Sequence, residues 1–326
     1  MQYLIGVDIG GTNIKLALMD KSGRLKGKRI FSTRNFKGKR ALIDEIICQI
    51  SGLISKYGLH KKDIIGVGIG APGAVDIRSG TVHYFTNIPD WNEVPLGIIL
   101  KKRLNLPVFV DNDVNVMALG ELFFGSGVGA RNTLCITLGT GVGGGLILEG
   151  KLYRGSSYAA GEFGHMPINI DGPKCKCGSW ACIEAYVGKS HIVRDAAARI
   201  RKGEKTLIKK LAGNDLSKIT PEIISRAARA GDKLAKDVWK DVGEKIGIGL
   251  AAVVNLLNLE KIVIGGGIAA AGKILFDSIK KTIAIRAMKL PARTVKVVKA
   301  KLGYDAGLIG AATLVLYELG RTNVPK

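Results

Sequence analysis

Four side chains close together in the sequence can hold a metal ion. His165 is followed by Cys175, Cys177 and Cys182, the first two within Cys175-Lys176-Cys177-Gly178. One imidazole and three thiolates satisfy the tetrahedral preference of a structural Zn²⁺ and leave no open position for Lewis-acid chemistry. Cys48 and Cys135 lie in apolar helical and strand-like patterns and read as inert packing residues. Two carboxylates flank the ligands: Glu162 stands three residues before His165, and Glu184 two after Cys182. Folding around one ion would fix both carboxylates, which are good acceptors for sugar hydroxyls. A ligating His keeps its second ring nitrogen for an outer bond, here to a substrate oxygen.

Glycine-rich turns supply a second kind of chemistry. Gly6-Val7-Asp8-Ile9-Gly10-Gly11-Thr12-Asn13 runs from an apolar stretch into a double glycine. Ile136-Thr137-Leu138-Gly139-Thr140-Gly141-Val142-Gly143-Gly144 echoes it in the second half. Glycine lets backbone N–H groups approach a phosphate, and successive amides form an anion-binding concavity. Thr12 and Thr140 add hydroxyl donors, Lys15 adds charge, and Asp8 suits a water-mediated Mg²⁺ contact. Two such turns can clasp one nucleotide, with Gly265-Gly266-Gly267 as a third approach near base and ribose. Each turn alone also fits an unliganded hairpin.

Phosphorylating a hydroxyl requires a group that accepts its proton. Asp111-Asn112-Asp113 stands where a strand ends and a helix begins. Ligands gather outside the carboxyl ends of strands in open α/β sheets, so Asp113 is a candidate base. It is also a candidate helix N-cap, the reading that composition alone favours, and Asp111 reads as structural. Gly68-Ile69-Gly70-Ala71-Pro72-Gly73 matches G-x-G-x-x-G, with Glu93 at the spacing of a dinucleotide fingerprint. No helix start follows Gly73, so the match is discounted and the loop is read as a substrate rim.

These groups need strands and helices to hold them. Apolar runs predict strands at Gln2–Val7, Ile14–Met19, Arg29–Thr33, Ile64–Ile69, Pro107–Val110, Lys261–Ile264 and Val295–Ala300. A strand, turn and strand are expected across Asn132–Leu148. Helical periodicity covers Ala41–Lys56, Val94–Leu104, Val114–Phe124, Ser190–Lys202, Pro221–Ala230, Asp232–Leu257 and Leu308–Leu319. The repeated strand–turn–strand opening predicts two related α/β halves with a cleft between them. The division expected is 1–118 for the first lobe, with a closing helix at 305–326 returning to it, and 119–304 for the second lobe with the zinc-binding insertion.

Composition narrows the field. The 326 residues are 47% hydrophobic and 23% charged, which is globular rather than disordered, and long enough for a core without disulfides. Lys+Arg number 49 against 27 Asp+Glu, so the net charge is +22 and acidic partners such as nucleotides are favoured. Residues 273–301 hold nine Lys/Arg against one Asp. The first ten residues lack the basic start and apolar stretch of a signal peptide, and no run of eighteen apolar residues exists. A cytoplasmic protein is expected, without membrane association.

Taken together, these motifs resemble the ROK family of sugar kinases and sugar-responsive repressors. The match runs from Asp8 to about Gly310. It is carried by Asp8 to Asn13, Ala71-Pro72-Gly73, Val110 to Asn115, Leu138 to Gly145, Gly161-Glu162-Phe163-Gly164-His165 and the Cys175 to Glu184 segment. The resemblance implies an actin/hexokinase-like (ribonuclease H-like) two-lobe α/β fold with a central cleft. It implies ATP and Mg²⁺ held by Asp8, Gly10, Gly11, Thr12, Asn13 and Lys15, by Thr140 and Gly141, and by Gly266 and Gly267. It makes Asp113 the catalytic base. Gly73, Asn87, Asn112, Asp113, Glu162, His165 and Glu184 would bind the sugar, and His165, Cys175, Cys177 and Cys182 the zinc. A homo-oligomer, dimer or tetramer, is expected. One departure stands out: the family pattern C-x-C-G-x-x-G-C-x-E has Ala181 at its second glycine, so a turn needing positive φ there would be strained.

Three functions compete. The first is ATP-dependent phosphorylation of a hexose, glucose to glucose 6-phosphate before N-acetylmannosamine, N-acetylglucosamine, mannose or fructose. The second is a sugar-sensing, nucleic-acid-binding regulator, which the +22 charge favours. The repressor branch carries an N-terminal helix-turn-helix, whereas this sequence opens on its first strand, so no specific nucleic acid is expected. A zinc hydrolase ranks last for want of an open metal position.

Overall fold

A computed structural model describes residues 2–85 and 88–321. The opening apolar run is β1 (Tyr3–Ile9), followed by β2 (Asn13–Asp20), β3 (Leu25–Ser32) and α1 (Lys39–Lys56). Next come β4 (Ile64–Ala71), a small ribbon of β5 (Val75–Asp76), β6 (Thr81–Tyr84) and β7 (Asn92–Val94), then α2 (Leu96–Leu104), β8 (Val108–Asn112) and α3 (Asp113–Phe124). Five strands form one sheet in the order β3-β2-β1-β4-β8. β1, β4 and β8 run parallel, while β2 is antiparallel to both β1 and β3. The parallel strands therefore end on one edge. Ile9, Ala71 and Asn112 deliver the first glycine turn, the Pro72-Gly73 loop and the start of α3 to that edge.

All eight residues of β4 are buried, as a central strand covered on both faces must be. Its glycines admit helices rather than a ligand. A Cβ on Gly68 would lie 1.8 Å from the Ala311 carbonyl oxygen, and one on Gly70 2.6 Å from Val116.

The second half supplies β9 (Thr133–Leu138), β10 (Val142–Leu148), β11 (Lys151–Tyr153), α4 (Glu184–Val187), α5 (Lys189–Arg201), α6 (Leu207–Leu211) and α7 (Pro221–Arg229). It continues with α8 (Lys233–Leu257), β12 (Lys261–Gly265), α9 (Lys273–Arg286), α10 (Lys289–Thr294), β13 (Lys296–Lys299) and α11 (Ala306–Glu318). The second sheet has the order β11-β10-β9-β12-β13. β12 runs parallel to both β9 and β13. The turn after β9 and the glycines after β12 consequently leave the same edge.

The chain divides into two compact units, one of Met1–Arg131, Gly145–Gly161 and Ala300–Lys326, the other of Asn132–Gly144 and Glu162–Lys299. The first crossing thus lies at Arg131 rather than near residue 118. The reason is packing: α3 stays whole against α11, where a Cβ on Gly120 would meet the Ala306 carbonyl oxygen at 2.9 Å. Residues 145–161 rejoin the first unit, a return the sequence did not announce. Among the described residues no helix is long and apolar enough to cross a membrane.

Candidate active site and metal centre

In the first unit, β8 hands the chain to α3 through three consecutive polar residues. Asn112 is the N-cap: its Oδ1 accepts from the Val114 and Asn115 amides at 2.8 and 3.2 Å. The capping duty therefore falls on Asn112 and not on Asp113, which opens the helix and accepts from the Val114 amide at 2.9 Å. Asn112 also donates from Nδ2 to the Gly73 carbonyl oxygen at 3.0 Å, so the structure joins Gly73, Asn112 and Asp113 at one strand edge. Gly73 has φ +80°, in the left-handed region that glycine tolerates. Asn87 lies outside the described residues.

The first glycine turn joins β1 to β2. Thr33 fastens it, the Thr33 amide donating to the Thr12 carbonyl oxygen at 3.0 Å and its hydroxyl to that of Gly11 at 3.1 Å. Gly11 and Thr12 remain exposed. Asp8 and Lys15 are directly opposed across the two strands. Their ion pair closes at 3.0 Å, and Lys15 also donates to the Tyr304 carbonyl oxygen at 3.1 Å while lying over that ring. Gly307 makes room for the Asp8 carboxylate, which a Cβ there would approach to 2.9 Å. Lys15 thus stands beside Asp8 rather than reaching outward from the turn.

In the second unit, the Thr140-Gly141 turn is tied by Gly139 donating to the Gly141 carbonyl oxygen at 2.9 Å. The Lys189 amide at the start of α5 donates back to the Gly139 carbonyl oxygen at 3.0 Å. Glu184, at the start of α4, accepts from the Val142 amide through Oε2 at 2.8 Å, and a Cβ on Gly141 would strike that oxygen at 2.4 Å. The bond between Glu184 and this turn was not anticipated from sequence, because the two stand 42 residues apart. Gly266 has φ +85°, and a Cβ on it would lie 2.2 Å from the Leu138 carbonyl oxygen. The third glycine site therefore abuts the second turn.

The loop from the short helical turn Phe163–His165 to α4 gathers the four metal-type donors. Ligand atoms of His165, Cys175, Cys177 and Cys182 all lie within 4.8 Å of one another. Nδ1 of His165 faces the Cys175 sulfur at 3.7 Å, and Cys177 and Cys182 sulfurs are 3.8 Å apart without a disulfide. Burial and the neighbouring thiols push the Cys182 thiol up to about 12, whereas the Ser179 amide lowers that of Cys177. Three thiols and one imidazole in so small a volume fit a structural Zn²⁺. The second nitrogen of His165, Nε2, lies 3.8 Å from the Glu162 carboxylate, on the side away from the sulfurs. Just before Cys182, Ala181 has φ +56° and keeps the left-handed conformation of the missing glycine.

Comparison with known proteins places this arrangement. Residues 4–318 match the ROK family. The chain belongs to the ROK family. It is 36% identical to a glucokinase of Halalkalibacterium halodurans over 96% of this chain and 95% of that one. A ROK family glucokinase from Streptomyces griseus, solved with glucose and AMPPNP, is 37% identical and superposes with a TM-score of 0.81, covering 96% of this chain and 98% of that chain. A ROK family transcriptional regulator, a homologue of the E. coli MLC protein, superposes with a TM-score of 0.88 at 29% identity, covering 98% of this chain and 78% of that chain. The α/β fold of actin/hexokinase type expected from sequence stands on these likenesses. ROK members thus include both glucokinases and regulators.

Proposed function

We propose that this chain phosphorylates a hexose hydroxyl with ATP, glucose being the preferred acceptor. The observation that carries the reading is the gathering of Gly73, Asn112 and Asp113 at one parallel-strand edge, where Asn112 caps α3 and donates to the Gly73 carbonyl oxygen. The greater identity to glucokinases than to regulators supports it. Asp113 takes the hydroxyl proton as the phosphoryl group transfers. Asn112 and Gly73 hold the sugar beside it, and Glu162, His165 and the Oε1 of Glu184 accept further hydroxyls. Amides at Gly10, Gly11, Thr12 and Asn13 in the first unit, and at Thr140, Gly141, Gly266 and Gly267 in the second, serve the phosphates and nucleoside. Asp8 would hold the Mg²⁺ that offsets phosphate charge, and Lys15 acts through Asp8. His165, Cys175, Cys177 and Cys182 would hold a Zn²⁺ whose contribution would be structural, shaping the loop, while Asp113 accepts the proton.

A coupled ADP-release assay with Mg-ATP tests this on glucose, mannose, fructose, N-acetylglucosamine and N-acetylmannosamine. Turnover on one sugar, lost in Asp113→Asn, names the substrate. The likeness to a ROK regulator and the +22 charge favour a second reading, a sugar-responsive DNA-binding protein. Salt-dependent DNA binding with sequence preference, together with no sugar-dependent ATP consumption, would put that reading first.

A further inference from the structure

Behind Asn112 and Asp113 lies a buried charge network that the reaction does not touch. The Asp111 side chain is 2% exposed and divides its two oxygens between two tasks. Oδ1 accepts from the Asn112 amide at 2.7 Å and from Nδ2 of Asn115, one helical turn on, at 2.9 Å. Among the described residues the buried Oδ1 of Asn115 has no partner, so its amide is oriented for Asp111. Oδ2 accepts from Nε of Arg154 at 2.7 Å. Arg154 follows β11, in the 145–161 segment that rejoins the first unit, and it also pairs with Glu318 near the end of α11 while lying over the Tyr317 ring.

We infer that Arg154, acting through Asp111, positions Asn112 and Asp113 for sugar phosphorylation; this rests on the kinase reading above. The physical reason is the division of the carboxylate. A buried carboxylate without a counter-charge is strongly unfavourable, so Asp111 must keep Oδ2 on the guanidinium. That fixes Oδ1 on the amide between Asp111 and Asn112 and on Asn115. The direction in which the chain enters α3 is thereby set, and with it the rotamer-bearing Cα positions of Asn112 and Asp113. Glu318 takes Nη2 of the same guanidinium, so Arg154 is braced from α11 as well. Arg154 is a positioning residue, since its side chain is 12% exposed and turned to Asp111 and Glu318.

The test measures kcat and both KM values for the unmodified chain, Arg154→Met and Arg154→Lys, at a temperature where melting curves show each fully folded. In Arg154→Met, kcat is expected to fall about tenfold or more and the sugar KM to rise, because small displacements of a reacting group are costly in rate. The ATP KM is expected to stay within about twofold, since the glycine turns do not depend on this network. A folded Arg154→Met enzyme with unchanged kcat and sugar KM overturns the inference, as does an ATP KM that shifts as far as the sugar KM. Should Arg154→Met not fold, Arg154→Lys decides: one ammonium does not reproduce the fork spanning Asp111 and Glu318, so kcat falls about threefold, and unchanged constants overturn the inference. Absence of sugar-dependent turnover in the unmodified chain removes the kinase reading and this inference together. Normal turnover with unaffected variants removes this inference alone.

Discussion

The strand edge that carries Asp113 and the loop that carries the four metal-type donors follow opposite plans. At the edge, every position is fixed by hydrogen bonds internal to the protein: Asn112 caps α3, Asp111 holds Asn112 and Asn115, and Arg154 holds Asp111. The donor loop is held by backbone hydrogen bonds instead, among them the Cys175 amide to the Ser179 carbonyl oxygen at 2.8 Å, the Ala181 amide to that of Pro173 at 2.9 Å and the Ile183 amide to that of Met166 at 3.0 Å. Its regular pairing is confined to the isolated bridges Pro167↔Cys182 and Lys174↔Trp180. Its local core is Cys175, Cys182 and Ala185. One site is fixed by side-chain bonds around a helix start, whereas the other brings together four donor atoms that a bound ion would hold. Each should therefore fail in its own way.

The largest effect belongs to the loop. Metal analysis of chelator-washed protein should give about one zinc per chain, as for a tightly held structural site. Cys182→Ser, which removes the most buried sulfur, is expected to lose the metal and cost about 4 kcal/mol or more in stability. A metal-free variant that melts with the unmodified protein would sink the claim that an ion organises this loop.

The edge should lose rate instead of structure. Asp113→Asn keeps the size of the side chain and leaves Asn112 as the cap, so melting should change little. Its kcat on the preferred sugar is expected to fall by at least ~10²-fold, the low end for loss of a general base, with sugar binding by calorimetry retained. Retained turnover takes the base role from Asp113.

What the sequence disclosed follows the same divide. Local signals were readable: apolar runs on either side of Gly10-Gly11 and Gly139-Gly141 became β1, β2, β9 and β10, and the Cys spacing foretold a cluster within one loop. The strand read as Arg29–Thr33 runs from Leu25 to Ser32, because its alternation of half-buried and exposed residues hides its start among lysines. Val94 read as the start of a helix, yet it pairs with Val82 in the ribbon, and α2 begins after Pro95. The helix α9 went unread, although its buried Leu275, Phe276, Ile279 and Ile283 keep helical spacing. Long-range partners were invisible. Nothing in Leu152-Tyr153-Arg154-Gly155 announces a carboxylate 43 residues earlier, and nothing near Glu184 announces the Val142 amide.

A third region sharpens the contrast with the donor loop, since it anchors a turn with a carboxylate and no ion. Asp20 ends β2 and is 4% exposed. Its Oδ1 accepts from the Ser22 hydroxyl at 2.6 Å and from the Ser22 and Arg24 amides at 2.9 and 3.1 Å. The Ser22 hydroxyl first, and then these amides and the Arg24 guanidinium, lower its pKa from the ordinary 3.8 to about 2 against the opposing effect of burial. A carboxyl lowered on folding stabilises above its unfolded value and loses that contribution as pH falls towards the folded one. Asp20→Asn should therefore cost on the order of 2 kcal/mol at neutral pH. The gap to the unmodified protein should close between pH 4 and 2, read as urea midpoints in the presence and absence of chelator. A gap that is flat across this range, or that widens with chelator, would show that Asp20 acts otherwise.

The smallest effect tests how completely an ion can impose a conformation that the local sequence resists. Ala181 sits at φ +56°, immediately before Cys182, and is 1% exposed. An L-residue with a Cβ pays about 1 kcal/mol to enter this region, whereas glycine enters it freely. The neighbours fix the conformation: the Ala181 amide donates to the Pro173 carbonyl oxygen at 2.9 Å, and its carbonyl oxygen accepts from the Ile168 amide at 3.0 Å. Those two bonds and the adjoining sulfur must offset the strain. Ala181→Gly relieves it but also frees the unfolded chain, so the net gain expected is about 0.5 kcal/mol in the metal-loaded protein. In metal-depleted protein the loop no longer needs the left-handed turn before Cys182, and the gain should vanish or reverse. Paired denaturation curves of both proteins, with zinc and after chelation, read the difference. An equal gain in both states would mean that the hydrogen bonds to Pro173 and Ile168, and not the ion, hold residue 181 in place.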